Sequence, residues 1–237
     1  MKLNTFVTVA LLSLFSIIAN ADFSGSVSGV SDYDYRGISQ TASDPALQLG
    51  VNYGHDSGFY ATAWGSNLDW GEGSDADIEI DYTVGFSRRI ADSGVAWDAG
   101  LLIYTYPGLS SSNFTEVYGG FSGDLWHAKV SYSDDFAGVG ASAWYVDGGL
   151  NYEWNNGWSV LIYGGYNFGN AFKFSHGLPM GLPDYWNWGA GVGYSLGDHF
   201  YFELKAVDTT LDDEYEVERG TFENDLRGIF TVTASFP

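Results

Sequence analysis

Asp77-Ile78-Glu79-Ile80-Asp81-Tyr82-Thr83-Val84-Gly85-Phe86 alternates without a break. Ile78, Ile80, Tyr82, Val84 and Phe86 share one face; Asp77, Glu79, Asp81, Thr83 and Gly85 share the other. Successive side chains of an extended chain point to opposite faces, so this stretch is a β-strand with an apolar and an acidic side. A half-buried strand of a soluble sheet reads the same way. The number of repeats decides between them.

Period-two segments recur near residues 23–35, 46–54, 59–68, 77–87, 95–106, 114–122, 125–133, 141–152, 158–166, 185–195, 199–208 and 225–236, which makes twelve. Connections after even-numbered strands are mostly tight: His55-Asp56-Ser57-Gly58, Ser122-Gly123-Asp124, Trp154-Asn155-Asn156-Gly157 and Leu196-Gly197-Asp198. Gly, Asn and Asp supply the positive φ that hairpins require. The turn at 88–94 is somewhat longer, and connections after odd-numbered strands are longer still, such as 69–75, 167–183 and 209–224. Short turns on one rim and long loops on the other predict an antiparallel transmembrane β-barrel of about 12 strands, with short periplasmic turns, longer extracellular loops and both termini periplasmic. Sites near Asp212 and in 172–178 are expected outside the cell, and the site at Asn155 inside. Strands immersed in lipid must close into a cylinder because hydrocarbon offers unpaired backbone groups no partner. A barrel of this size falls between the filled interiors of ~8 strands and the open channels of ~16–18.

The chain begins Met1-Lys2, runs through apolar residues from Phe6 to Ile18 and reaches Ala19-Asn20-Ala21. This is the order of a secretory signal peptide, too short to span as a helix of ~20 residues, with cleavage expected after Ala21. Residues 22–237 then form a single outer-membrane barrel domain. The last strand sets Phe230, Val232, Ala234 and Phe236 on one face. Such an ending resembles the signal read by the barrel-assembly machinery, although Pro237 follows the aromatic.

Cysteine is absent, so no disulfide framework holds the exported domain. Without Lys2, eight basic side chains face thirty acidic ones, which excludes nucleic acid as a partner and favours neutral or cationic small solutes. The 32 Gly, 17 Tyr, 16 Phe and 9 Trp against 5 Pro are strand-and-turn chemistry. Trp126, Tyr132, Trp144, Tyr152, Trp158, Tyr166 and Tyr194 lie near strand ends, where girdle residues meet the interfaces of a bilayer. Outer-membrane lipid and lipopolysaccharide are the expected surroundings.

Ser31-Asp32-Tyr33-Asp34-Tyr35-Arg36-Gly37-Ile38-Ser39-Gln40-Thr41, Pro45-Ala46-Leu47-Gln48, His55-Asp56-Ser57-Gly58-Phe59-Tyr60 and then Trp64, Ser66, Asn67 and Asp69 resemble the TorF family of porins. The match is dense over 30–70 and departs from the usual pattern at Asp34, Tyr35 and Pro237. The resemblance implies an outer-membrane barrel passing small solutes, with no particular substrate.

The alternate acids of 75–81 carry Ile80 where a calcium loop requires Gly, and a strand explains them. The acidic loop 212–218 reads either as a solvated surface or as a divalent-cation site. His55, His127, His176 and His199 have no metal-ligand spacing. An outer-membrane lipase would need His and Ser on the lipid side, whereas parity turns His127 inward with Lys129. Gly189-Ala190-Gly191-Val192-Gly193 precedes no helix and is no dinucleotide fingerprint. Neither an enzyme nor a cofactor is implied.

If the apolar face of each strand meets lipid, Asp77, Glu79, Asp81, Asp98 and Glu116 form an inward acidic wall. Glu203, Lys205 and Arg227 face inward on the last strands, and Arg36 joins them if the first strand keeps register. Arg36 reads equally as a partner for Asp32 or Asp34. One outcome is a lumen with opposed charged walls and mild cation selectivity; the other is a core in which the charges pair. The leading expectation is a passive channel for small solutes. Its rivals are a non-conducting structural or partner-binding barrel and a secreted β-sandwich.

Overall fold

The computed structural model describes residues 22–173, 181–212 and 221–237. The signal segment, residues 174–178 of the expected outer loop and 213–218 of the acidic loop lie outside the described residues. The elements run β1 (Asp22–Val30), β2 (Asp34–Tyr35), β3 (Ile38–Ser39), β4 (Ala46–Gly54), β5 (Phe59–Asn67), β6 (Ile78–Arg89) and β7 (Ala96–Thr105). They continue with β8 (Phe114–Ser122), β9 (Trp126–Ser133), β10 (Ala143–Glu153), β11 (Trp158–Gly169), β12 (Tyr185–Leu196), β13 (Phe200–Thr209) and β14 (Arg227–Phe236). Twelve of these close into one barrel, and β2 and β3 form a separate two-stranded ribbon. Neighbours in the chain pair antiparallel, and β14 seals the cylinder against β1, with Val27 opposite Ala234 and Gly29 opposite Val232.

Closure satisfies the backbone of every barrel strand on both edges, as a sheet immersed in lipid requires. The outer face is built for that solvent: Leu49, Val84, Leu101, Val117, Ile162, Leu204 and Phe230 are exposed side by side around it. In water such a belt would be an aggregation surface. Trp126, Trp144, Trp158, Trp186 and Tyr152 flank it. A single closed sheet with its apolar side outward rules out the β-sandwich, which buries that side between two sheets. Gly58 N–H donates to the His55 carbonyl at 2.8 Å and Gly157 N–H to the Trp154 carbonyl at 3.0 Å, closing two of the short turns. The longer connections gather at the other rim, two of them carrying single 3₁₀ turns at Ser110–Ser112 and Phe136–Gly138.

Inside, tyrosines lie across glycines of the adjacent strand. Tyr60 pairs with Gly85, Tyr118 with Gly100 and Tyr163 with Gly189. A Cβ on Gly85 would come within 2.5 Å of the Tyr60 ring, so this glycine makes room for an inward aromatic.

The first strand departs from expectation. It ends at Val30 rather than running to 35, because the chain turns inward and folds the β2–β3 ribbon into the barrel mouth. The ribbon turns at Arg36 (φ 52°) and Gly37 (φ 87°), both left-handed. Gly37 is obligatory twice over: its φ favours glycine, and a Cβ there would sit 2.3 Å from Thr209 Cγ2.

The outward belt makes a stability prediction. Leu204→Arg, near the middle of β13, should destabilise the folded barrel in lipid by about 2–4 kcal/mol. Reversible urea unfolding in phospholipid vesicles measures it, and an unchanged midpoint would refute the lipid-facing assignment.

Candidate functional site

Residues 31–45 cap the lumen from the long-loop side, and buried ion pairs hold them there. Arg36 Nη2 lies 2.6 Å from Glu116 Oε1 on β8, and Nη1 donates to Asn167 Oδ1 on β11 at 3.3 Å. Its guanidinium stands 4.2 Å from the Tyr145 ring centroid and 4.8 Å from that of Tyr35. Burial, the largest single effect, lowers the pKa of Arg36, but the Glu116 carboxylate together with Tyr35, Tyr104 and Tyr145 outweighs it and keeps the guanidinium protonated. On the opposite side Arg227 of β14 pairs with Asp32, donates to Asp34 Oδ1 at 2.6 Å and caps the Gly37 carbonyl at 2.6 Å. Burial pushes the Asp34 carboxyl up, against the pull of Arg227 and Lys205.

Around this segment the long-loop end is packed with apolar groups. Tyr33, Ile38, Leu68, Tyr106, Phe136, Phe172 and Leu211 belong to one buried cluster, in which Tyr104 and Phe114 stack at 4.1 Å. Below it a cavity of about 1050 Å³ runs towards the short-turn rim. Asp32, Tyr33, Asp34 and Arg36 form its floor, and Arg89, His199 and Pro237 lie at its mouth. Among the described residues the barrel is a cup, closed at the long-loop end.

Glu79 and Asp81 on β6, Asp98 on β7, Glu116 on β8, Glu203 and Lys205 on β13 are all buried on the inward parity of their strands. His127 and Lys129 on β9 and Arg227 on β14 share that parity. Two expectations need correction. Asp77 is exposed, because β6 begins at Ile78 and strand alternation does not bind a residue in the preceding loop. Arg36 leaves β1 and crosses to Glu116, so it neutralises the acidic wall instead of opposing it. Elsewhere too the charges pair locally: Lys205 Nζ is 3.9 Å from Glu203, and Asp147 on β10 takes His127 at 3.2 Å and Lys129 at 3.9 Å.

Asp147 escaped the sequence reading, and Asp32 and Asp34 entered it only as partners for Arg36. Asp147 was within reach of it, since Trp144 and Val146 face outward on the same strand. Asp32 and Asp34 pair with Arg227 and not with Arg36, because residues 31–35, which alternate like strand, serve as an inward loop.

A family model of bacterial proteins of unknown function, Gcw_chp, matches residues 18–236. No curated protein matches the chain in sequence. Among solved structures the NanC porin superposes with a TM-score of 0.60 at 14% identity, covering 90% of this chain and 99% of that one. The KdgM porin gives 0.57 at 8% identity, covering 90% and 98%, and a second structure of it is a complex with disordered oligogalacturonate. The COG4313 outer membrane channel from Pseudomonas putida F1 gives 0.51 at 10% identity, covering 92% and 96%. At these identities the likeness is one of fold.

The Arg36–Glu116 pair is testable by a double-mutant cycle. Arg36→Met should cost about 3–5 kcal/mol by leaving a buried carboxylate uncompensated, and adding Glu116→Gln should recover much of the loss. Equilibrium unfolding of the four proteins measures the coupling; additive effects would show that the pair is not formed.

Proposed function

The chain belongs to the Gcw_chp family, and from that premise and the barrel's geometry we propose that it is an outer-membrane porin-like channel for small solutes. The observation that carries the reading is a closed, lipid-faced barrel whose interior is a charged cavity of about 1050 Å³ rather than a packed core. The resemblance of residues 30–70 to the TorF porins supports the same reading. Export by a signal peptide cleaved after Ala21, insertion by the barrel-assembly machinery and surroundings of lipopolysaccharide complete it. Passage is by diffusion, without cofactor or catalysis. The strand histidine, His127, faces the lumen and Asp147 rather than lipid, which speaks against a lipase.

The solute is cationic or neutral. Asp32, Asp34, Glu79, Asp81, Asp98, Glu116, Asp147 and Glu203 point inward, against Arg36, Lys129, Lys205 and Arg227. That excess of carboxylates favours cations and argues against an acidic oligosaccharide of the kind bound by the KdgM porin. Conduction requires residues 31–45 to shift, since their ion pairs close the long-loop end. That closure favours a second reading, a partner-binding barrel that does not conduct.

Planar-bilayer recording separates the two. Step conductance is expected, larger or more frequent in Glu116→Gln, with a reversal potential displaced towards cations. The preference should weaken as salt rises above ~0.1 M, where screening falls to ~10 Å or less. Joint replacement Asp81→Asn, Asp147→Asn and Glu203→Gln should move the reversal potential towards anions. A bilayer that stays sealed with both wild type and Glu116→Gln would sink the channel reading; unchanged selectivity in the triple variant would remove these carboxylates from the path.

A further inference from the structure

The inward carboxylates are not alike. Glu116 has Arg36, Glu203 has Lys205, Asp32 and Asp34 have Arg227, and Asp147 has Lys129 and His127. Glu79 and Asp81 have no basic partner among the described residues. Both are buried, at 2% and 4% exposure, and they stand two residues apart on one face of β6 with their carboxyl groups in contact. Tyr106 donates to Glu79 Oε1 at 3.2 Å, which helps one of the two. Asp81 lines the cavity, and its Oδ1 has no hydrogen-bond partner. Two adjacent buried carboxylates without a counter-charge are costly, and a positive charge placed beside Asp81 at the cavity wall relieves both.

The neighbouring groups say what kind of charge fits. Trp64, directly opposite Asp81 on β5, also lines the cavity and makes an edge contact with the Tyr33 ring at 5.3 Å. Tyr33, Tyr104 and Tyr118 line the same space. A carboxylate oxygen beside an indole, among aromatic rings, suits an ammonium group carrying carbon substituents better than a bare metal ion, which prefers several oxygen ligands. No group of three or more His, Cys, Asp or Glu able to hold a metal occurs among the described residues.

We propose that Asp81, Glu79 and Trp64 form a seat for the ammonium head of a small organic cation that reaches it through the cavity from the short-turn rim. The seat names a solute class for the cation-preferring channel proposed above and rests on that reading for its physiological sense. It lies at the floor of the cup, beside the inward segment, where a cation coming from the short-turn side is halted until that segment moves.

Binding is tested without conduction, so that failure of the seat and failure of the channel are distinguishable. Choline is titrated calorimetrically into the refolded full barrel in octyl glucoside, with 3,3-dimethyl-1-butanol as its uncharged isostere. Choline should bind and the alcohol should not. Asp81→Asn keeps the shape and removes a buried charge, so it should fold at least as well, as read by heat-modifiable gel mobility. It should weaken choline binding about tenfold or more, the loss expected of a charge-assisted contact. Trp64→Leu should also weaken choline while leaving any sodium or calcium binding unchanged. Equal binding of choline and the alcohol, unaltered choline binding by folded Asp81→Asn, or no heat of binding at all would overturn the seat. The last result would mean that a proton shared by the two carboxyls suffices. Calcium that binds the wild type and displaces choline, with Trp64→Leu indifferent to choline, would equally overturn it in favour of an inorganic ion.

Discussion

Hydrocarbon offers no hydrogen-bond partner, and the rest of this structure follows from that deprivation. A sheet whose outer face is Leu, Val, Ile and Phe can leave no edge open, so β14 must meet β1 and twelve strands must form one cylinder. Once the apolar residues point outward, alternation sends the other half of every strand inward. Polar and charged groups are therefore concentrated in a narrow interior, where they need partners.

The chain meets that need in two ways. Local pairs along neighbouring strands, such as Glu203 with Lys205 and Asp147 with Lys129, compensate charge within the wall. Residues 31–45 supply the rest by bringing Asp32, Asp34 and Arg36 into the lumen as counter-charges for Arg227 and Glu116. The closure of the long-loop end and the neutralisation of the wall are thus one device. Moving the segment would expose Glu116 and Arg227 together, which couples access through the lumen to its electrostatics. Glu79 and Asp81 stay outside this compensation, and Asp81, with Glu79 buried behind it, marks the side of the lumen that retains negative character.

The interior is shaped as much by glycine as by charge. Tyr60, Tyr118 and Tyr163 lie over Gly85, Gly100 and Gly189, so bulky rings line the wall without filling the centre. The cavity survives in a barrel of modest girth because a side chain on one strand occupies the place vacated on the next.

Strand number, rim polarity and the facing of β6 were legible in the sequence because each depends on local alternation and turn chemistry. Ile78 and Val84 outward leave Glu79 and Asp81 inward, whatever lies across the barrel. Asp98, Glu116, Lys129, Glu203, Lys205 and Arg227 keep the inward parity of their strands by the same logic, which fails at Asp77, where the chain is no longer strand. It failed more consequentially at residues 31–37, whose alternation is that of a strand continuing β1. Only the tertiary structure decides that this stretch turns inward, because the cause is non-local. Glu116, Asn167 and Arg227, contributed by three separate strands, converge on a loop that sequence alone cannot bring near them. The sequence determined that charge would line the interior; which charges meet, and that their meeting closes one end of the barrel, was decided by three-dimensional proximity.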